Sequence, residues 1–204
     1  MILFDGCSYT FGGELENPEK DAFPHLVSRM GLMKGAKPRK YRSIAKCGKS
    51  NDGILRTTLD FCEKNPVSRA IIQFTVYSRR EIFEERKNGY FFISAQNNDE
   101  GSVEYYKNFQ NVSDDVANFH KNRFILENYF QKRNIKYYFL ELQRREDIVG
   151  YKPSSWYNLV SHSPITNFRD ILGKMKYNEE KFIGGHPSKL GHELIARHLY
   201  ENIF

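Results

Sequence analysis

The chain has 204 residues, of which 40% are hydrophobic and 27% charged, with a formal net charge of +6. That suits one soluble domain large enough to bury a sheet between two helix layers. No run approaches 18 apolar residues, which excludes a membrane-spanning helix. The three apolar residues between Met1 and Asp5, with no basic leader, do not read as a signal peptide.

In chain order, Ile2 to Phe4 reads as a buried first strand that stops at "FDGCSYTFGG". "AFPHLVSRMG" repeats apolar residues at Phe23, Leu26, Val27 and Met30, the period of an amphipathic helix that Gly31 ends. "RSIA" is long enough only for a short second strand. "SNDGILRTTLDFCEKN" carries Ile54, Leu55, Thr58, Leu59 and Cys62 on one face and predicts a helix, with Asn51 as its simplest N-cap. "RAIIQFTV" and "IKYYFLEL" are buried strands, separated by the helical "ANFHKNRFILENYFQKRN". The final "HPSKLGHELIARHLYENIF" is expected to begin a helix at its proline, with His192 and His198 on the helix surface. Alternating strands and helices predict an α/β fold with a parallel sheet covered on both faces, in a single domain over 1–204.

Two stretches fall outside this alternation. Residues 77–112 are polar, aromatic and rich in Asn, and residues 143–183 are long and irregular. Loops of this size in a compact domain are expected to serve function, here as walls or a lid over the cleft at the carboxyl ends of the strands. From Ala22 to Asn51 there are eight Lys or Arg and no Asp or Glu. The basic 29–49 segment is therefore a candidate for contact with an acidic partner, the alternative being a solvated loop. Cys7, Cys47 and Cys62 are few, odd in number and without metal-ligand spacing, so no metal site is expected and the thiols fit a reducing cytoplasm.

The chemistry centres on Ser8. A serine needs a base to become a nucleophile, and an attacked carbonyl needs donors for its developing oxyanion. His186, in "GGHPSKLGH", is the histidine in the most suggestive context, and Gly48, in "AKCGKSN", could offer a bare N–H. In a parallel sheet all three could meet at one edge. The alternative for Ser8 is a plain helix N-cap.

Together "GCSYTFGG", "AKCGKSNDGILR" and "GGHPSKLGHELIA" resemble the first, second and last blocks of the SGNH, or GDSL-type, hydrolases. "FPHLV" resembles the helix after that family's nucleophile. Proteins of this short, departed type also occur in tailed phages. The resemblance implies a flavodoxin-like three-layer sandwich of about five parallel strands in order 2-1-3-4-5. It implies Ser8 as nucleophile, His186 as general base, Gly48 as oxyanion donor and no cofactor. Three positions depart from the pattern. Cys7 stands where Asp usually precedes the serine. Ile183 stands three residues before the histidine, where the family has its orienting aspartate. No asparagine follows the third strand in "QFTVYSRRE".

The resulting expectation is an esterase or deacylase that removes an O-acyl group from a carbohydrate or polar metabolite through a Ser-His dyad, in the cytoplasm of a bacterial or phage-infected cell. Asn51 is the candidate third oxyanion donor. Tyr77 and Arg79, just past the third strand, are the candidate substrate-binding residues, with a solvated charge cluster as the alternative for Arg79. A displaced acid from the 143–183 loop, among Asp170, Glu179 and Glu180, is the rival to a simple dyad. The competing functional class is a catalytically lost SGNH-fold module that binds nucleic acid or an acidic glycan through the basic segment.

Overall fold

The computed structural model describes residues 1–30, 37–85, 88–95, 97–143, 165–173, 182, 183 and 185–203. The hub is the first strand, β1 (Ile2–Asp5), every residue of which is buried. It lies between β2 (Tyr41–Ser43) and β3 (Arg69–Phe74), both parallel to it. β3 pairs in parallel with β6 (Lys136–Glu141), and β6 with β7 (Ile165–Asn167). The sheet order β2-β1-β3-β6-β7 is the expected 2-1-3-4-5 once the strands of a separate hairpin are set aside. β1 and β3 read as unbroken apolar runs because a central parallel strand is covered on both faces.

Alternation along these strands divides the core in two. Leu3, Ala70, Ile72 and Phe74 face one cluster, filled by Ile54 of α4 (Asn51–Lys64) and by Val116, Phe119, Leu126 and Phe130 of α6 (Val112–Lys132). Ile2, Phe4 and Ile71 face the other. That side is closed by Phe23 and Val27 of α3 (Phe23–Arg29), Phe168 and Leu172 of α7 (Phe168–Leu172), and Ile195, Ala196 and Leu199 of α8 (Lys189–Ile203). This is the three-layer α/β sandwich that the sequence predicts.

Several expectations are corrected here. The polar 77–112 stretch is not one irregular loop. It forms an antiparallel hairpin, β4 (Arg80–Glu84) with β5 (Gly89–Ile93), followed by α5 (Glu100–Asn108). The hairpin lies against the start of α4. Arg56 makes a two-pronged contact with Glu81 at 2.6 and 2.9 Å, and its guanidinium sits 3.9 Å from the centre of the Tyr90 ring. Helix α8 starts two residues beyond Pro187, because His186 and Pro187 form a short strand β9 paired with β8 (Phe182–Ile183). His192 is fully buried, not on the surface. Its ring stacks on Phe23 and its Nδ1 accepts the Phe23 N–H at 3.1 Å. Burial pushes its pKa down to about 4, which keeps the ring neutral and able to accept at pH 7.

The basic segment spends part of its charge internally. Lys49 is buried against Asp5, and Arg39 donates to the Met30 carbonyl at 2.9 Å while lying over Tyr200. No helix among the described residues is long and apolar enough to cross a membrane.

Candidate active site

All five sheet strands run the same way, so β1 and β3 release the chain at one edge, and Ser8 leaves that edge on a built turn. Asp5, the last residue of β1, accepts the Gly6 N–H at 2.7 Å through Oδ1. Gln73, buried on the neighbouring β3, accepts the Cys7 N–H at 2.9 Å and the Thr10 hydroxyl at 3.1 Å. A Cβ on Gly6 would lie 2.5 Å from Thr10 Oγ1 and 2.6 Å from Gln73 Oε1, so only glycine fits between them. This explains the small residues that surround the serine.

Ser8 is the first residue of the one-turn helix α1 (Ser8–Phe11), and the capping position belongs to Cys7, which makes no side-chain cap. The N-cap alternative for Ser8 therefore fails. Its Oγ instead meets His186 Nε2 at 2.9 Å, across 178 residues of sequence. The imidazole is held from the Ser8 side. Tyr9, the next residue of α1, donates its hydroxyl to the Gly185 carbonyl at 2.6 Å, and its ring lies 5.4 Å from that of His186.

The Gly48 turn is fastened to the same edge, since Lys46 N–H donates to the Gly6 carbonyl at 3.2 Å. Gly48 has φ +78°, a left-handed backbone natural to glycine, and open space where a Cβ would stand. Among the described residues, the Ser8 and Gly48 N–H groups have no hydrogen-bond acceptor. Below the turn, Lys49 Nζ meets Asp5 Oδ1 at 2.5 Å, and Thr57 and Thr58 donate to Asp5 Oδ2 at 2.7 and 2.9 Å. Burial pushes the Asp5 carboxyl up and the Lys49 ammonium down, and each charge opposes the other's shift.

Asn51 is not the N-cap of α4. Ser50 is, its hydroxyl accepting the Gly53 N–H at 3.1 Å. The buried Asn51 amide clamps the end of β3, accepting the Thr75 N–H at 2.9 Å and reaching the Thr75 carbonyl at 3.4 Å. Asn51→Ala leaves that buried N–H without its acceptor. The expected result is a loss of about 1–3 kcal/mol in unfolding free energy, read by urea denaturation. An unchanged midpoint would show that the clamp contributes nothing.

Tyr77 does not line the cleft. It is 2% exposed and stacked on Phe119 at 4.3 Å, because the turn that follows the end of β3 folds it into the core beside α6. Arg79 is half-buried and donates to Thr75 Oγ1 at 3.0 Å, close enough to Cys47 for its charge to act on that thiol. Of the three displaced acids considered, Asp170 lies exposed on α7, while Glu179 and Glu180 lie outside the described residues.

An acid that sequence reasoning missed comes to the histidine from elsewhere. Glu14 Oε1 is 3.6 Å from His186 Nδ1, on the ring edge opposite Ser8. Glu14 has φ +71°, two residues after Gly12 at φ +88°. For a non-glycine residue such a backbone costs on the order of 1–3 kcal/mol. The one available signal was the "GGE" sequence itself. Among the described residues no group of three or more His, Cys, Asp or Glu could hold a metal ion.

Comparison with solved structures decides the fold. A psychrotrophic esterase, EstA, from Pseudoalteromonas aligns over 99% of this chain and 95% of its own, at 16% identity and a TM-score of 0.62. The chain has the SGNH hydrolase fold. A putative lipolytic protein of the G-D-S-L family from Desulfitobacterium hafniense aligns over 98% of this chain and 97% of its own, at 14% identity and a TM-score of 0.58. A two-domain esterase active on acetylated mannans aligns over 98% of this chain but 47% of its own, at 15% identity and a TM-score of 0.52. No family profile matches the sequence, and no curated protein matches it.

Within this SGNH fold, a groove of about 840 Å³ runs beside α1 and the edge strand β2. Thr10 and Phe11 of α1 line it, together with the polar Glu16, Asn17, Lys20 and Arg42.

Proposed function

We propose that the protein is an ester hydrolase of the SGNH kind, with Ser8 as nucleophile and His186 as general base. The observation that carries this reading is the 2.9 Å contact between Ser8 Oγ and His186 Nε2 at the carboxyl edge of the sheet. A serine on a turn that admits only glycine at position 6, with its hydroxyl on an imidazole, has the arrangement that nucleophilic acyl transfer needs. The esterases among its structural neighbours add support at the level of fold.

In the proposed course, Ser8 Oγ attacks the ester carbonyl as its proton passes to His186 Nε2. The Ser8 and Gly48 amides receive the oxyanion, and the free hydrogen of the Asn51 amide is the third candidate donor. His186 then protonates the departing alkoxide, leaving an acyl-Ser8. Water, deprotonated by His186, attacks that acyl group and restores the enzyme. An O-acyl group on a carbohydrate or other polar metabolite is the substrate class the surroundings favour. The 77–112 stretch that follows β3 is polar and rich in Asn, where a lipase would present an apolar mouth.

The test is labelling with a fluorophosphonate, which reacts only with an activated serine. One equivalent bound, mapped to the peptide containing Ser8, is the expected result. A protein that takes no label and cleaves no short acyl ester would favour the binding-module class instead.

A further inference from the structure

We infer that Glu14 is the positioning residue of the Ser8–His186 pair, its carboxylate set to stabilise the imidazolium that forms when Ser8 gives up its proton. The inference rests on the reading of Ser8 and His186 as catalytic.

Three observations converge on it. First, the carboxylate stands 3.6 Å from Nδ1, the ring nitrogen that Ser8 does not use. That nitrogen is buried and makes no hydrogen bond among the described residues, so the place an orienting acid would take is otherwise unfilled. Second, the chain goes out of its way to bring Glu14 there. After α1 the backbone turns left-handed at Gly12 and again at Glu14, and between them Gly13 passes against both catalytic side chains. A Cβ at Gly13 would lie 3.2 Å from Ser8 Cβ and 3.4 Å from His186 Cδ2. Third, glycine would satisfy the φ of +71° at position 14 more easily than glutamate does. What glutamate adds there is its carboxylate.

The distance also says how the group acts. At 3.6 Å the contact is an ion-pair separation, longer than a hydrogen bond. Its attraction is weak while His186 is neutral and rises when the ring becomes charged. The interaction therefore strengthens in the transition state, which is the kind that raises kcat. Glu14 takes no proton in the course; the Nδ1 proton stays on the ring. The acid has moved from its usual place three residues before the base to a place six residues after the nucleophile.

The experiment compares Glu14→Gln, Glu14→Gly and Glu14→Asp with wild type in the full chain, by turnover of p-nitrophenyl acetate, fluorophosphonate labelling rate and thermal melting. Glu14 is 46% exposed, so the effect should be smaller than the roughly ten-thousandfold seen for a buried triad acid. Gln and Gly are expected to lower kcat about ten- to a hundredfold with KM nearly unchanged. The labelling rate should fall in step, and Asp should keep more activity than Gln. Glu14→Gly relaxes the left-handed backbone, so its melting temperature should hold or rise while activity falls, and added formate should restore part of the rate. Wild-type labelling and turnover in both Gln and Gly would overturn the role of Glu14 while leaving the nucleophile reading intact. Lower activity in Glu14→Gly with a matching loss of stability and no formate rescue would also overturn it, assigning the residue to folding. A wild-type protein that takes no label would remove both readings.

Discussion

Ser8→Ala is expected to lower ester hydrolysis by up to about a million-fold, the scale on which loss of a serine nucleophile is felt. No neighbouring group can take over. Cys7 Sγ lies 3.9 Å from the serine oxygen, but the thiol is fully buried under the turn and cannot reach a substrate. The fold should scarcely register the change. The turn is held by Asp5, Gln73 and Thr10 through Gly6 and Cys7, and the Ser8 hydroxyl belongs to none of those contacts. The measurement pairs kcat on a short acyl ester with thermal melting. Activity within about a hundredfold of wild type would place the nucleophile elsewhere.

Lys49→Met carries the largest expected cost in stability. Lys49 is 2% exposed and Asp5 is fully buried, so removing the ammonium strands a carboxylate in the core. Breaking a buried pair in this way costs about 3–5 kcal/mol. The Gly6 N–H and the Thr57 and Thr58 hydroxyls still solvate the carboxylate, which places the loss at the lower end of that range. Replacing both partners, as Asp5→Asn with Lys49→Met, should recover much of the deficit, and the double-mutant cycle measures the coupling.

The pH dependence has a definite sign. Without Lys49, the Asp5 carboxyl in the folded protein rises further above its unfolded value, because burial then acts with only the Thr57, Thr58 and Gly6 hydrogen bonds against it. Between the two values the folded chain holds more protons than the unfolded one, so stability falls as pH rises. The deficit of Lys49→Met should therefore be larger at neutral pH and shrink as pH falls toward the unfolded carboxylate range. A deficit independent of pH would mean that the pair does not act through the Asp5 charge.

Much of this fold was legible because its central strands are buried on both faces. Ile2–Phe4 and Ala70–Phe74 carry little but apolar side chains, and a parallel sheet leaves them no other reading. The 80–93 hairpin was obscured for the opposite reason. Among the described residues its strands pair only with each other, and Phe83, Tyr90 and Phe91 remain partly exposed beside charged neighbours, so its pattern looked like a polar loop. β7 is three residues long and leaves too little sequence for any period. His192 could have been found. It precedes Ile195 by three residues and Ala196 by four, which puts it on the same buried helix face.

The site divides along the same physical lines. Ser8, Gly48 and His186 announced themselves through the glycines and small residues that tight turns need. Glu14 did not, because its position depends on how two left-handed residues fold the chain back, which no residue pattern at His186 can report. Asn51 as a helix cap and Tyr77 as a cleft residue were misjudged because a polar group near a strand end can as easily be held by a neighbouring element. Their partners, Thr75 and Phe119, are apparent only once β3, α4 and α6 are packed.

The pair of Ser8 and His186 spans nearly the whole chain, and that has a consequence for how the protein is made. A ribosome finishes the Ser8 turn long before it produces His186. Strand β1 must then wait for β3, which lies beyond β2 and α4, before it is enclosed on both sides. Contacts of such long sequence separation form slowly. On the proposed reading, a chain that has not yet reached His186 carries a serine with no imidazole to take its proton, and reactivity appears only when β9 is in place. Acquisition of fluorophosphonate reactivity would then serve as a clock for the meeting of Ser8 and His186.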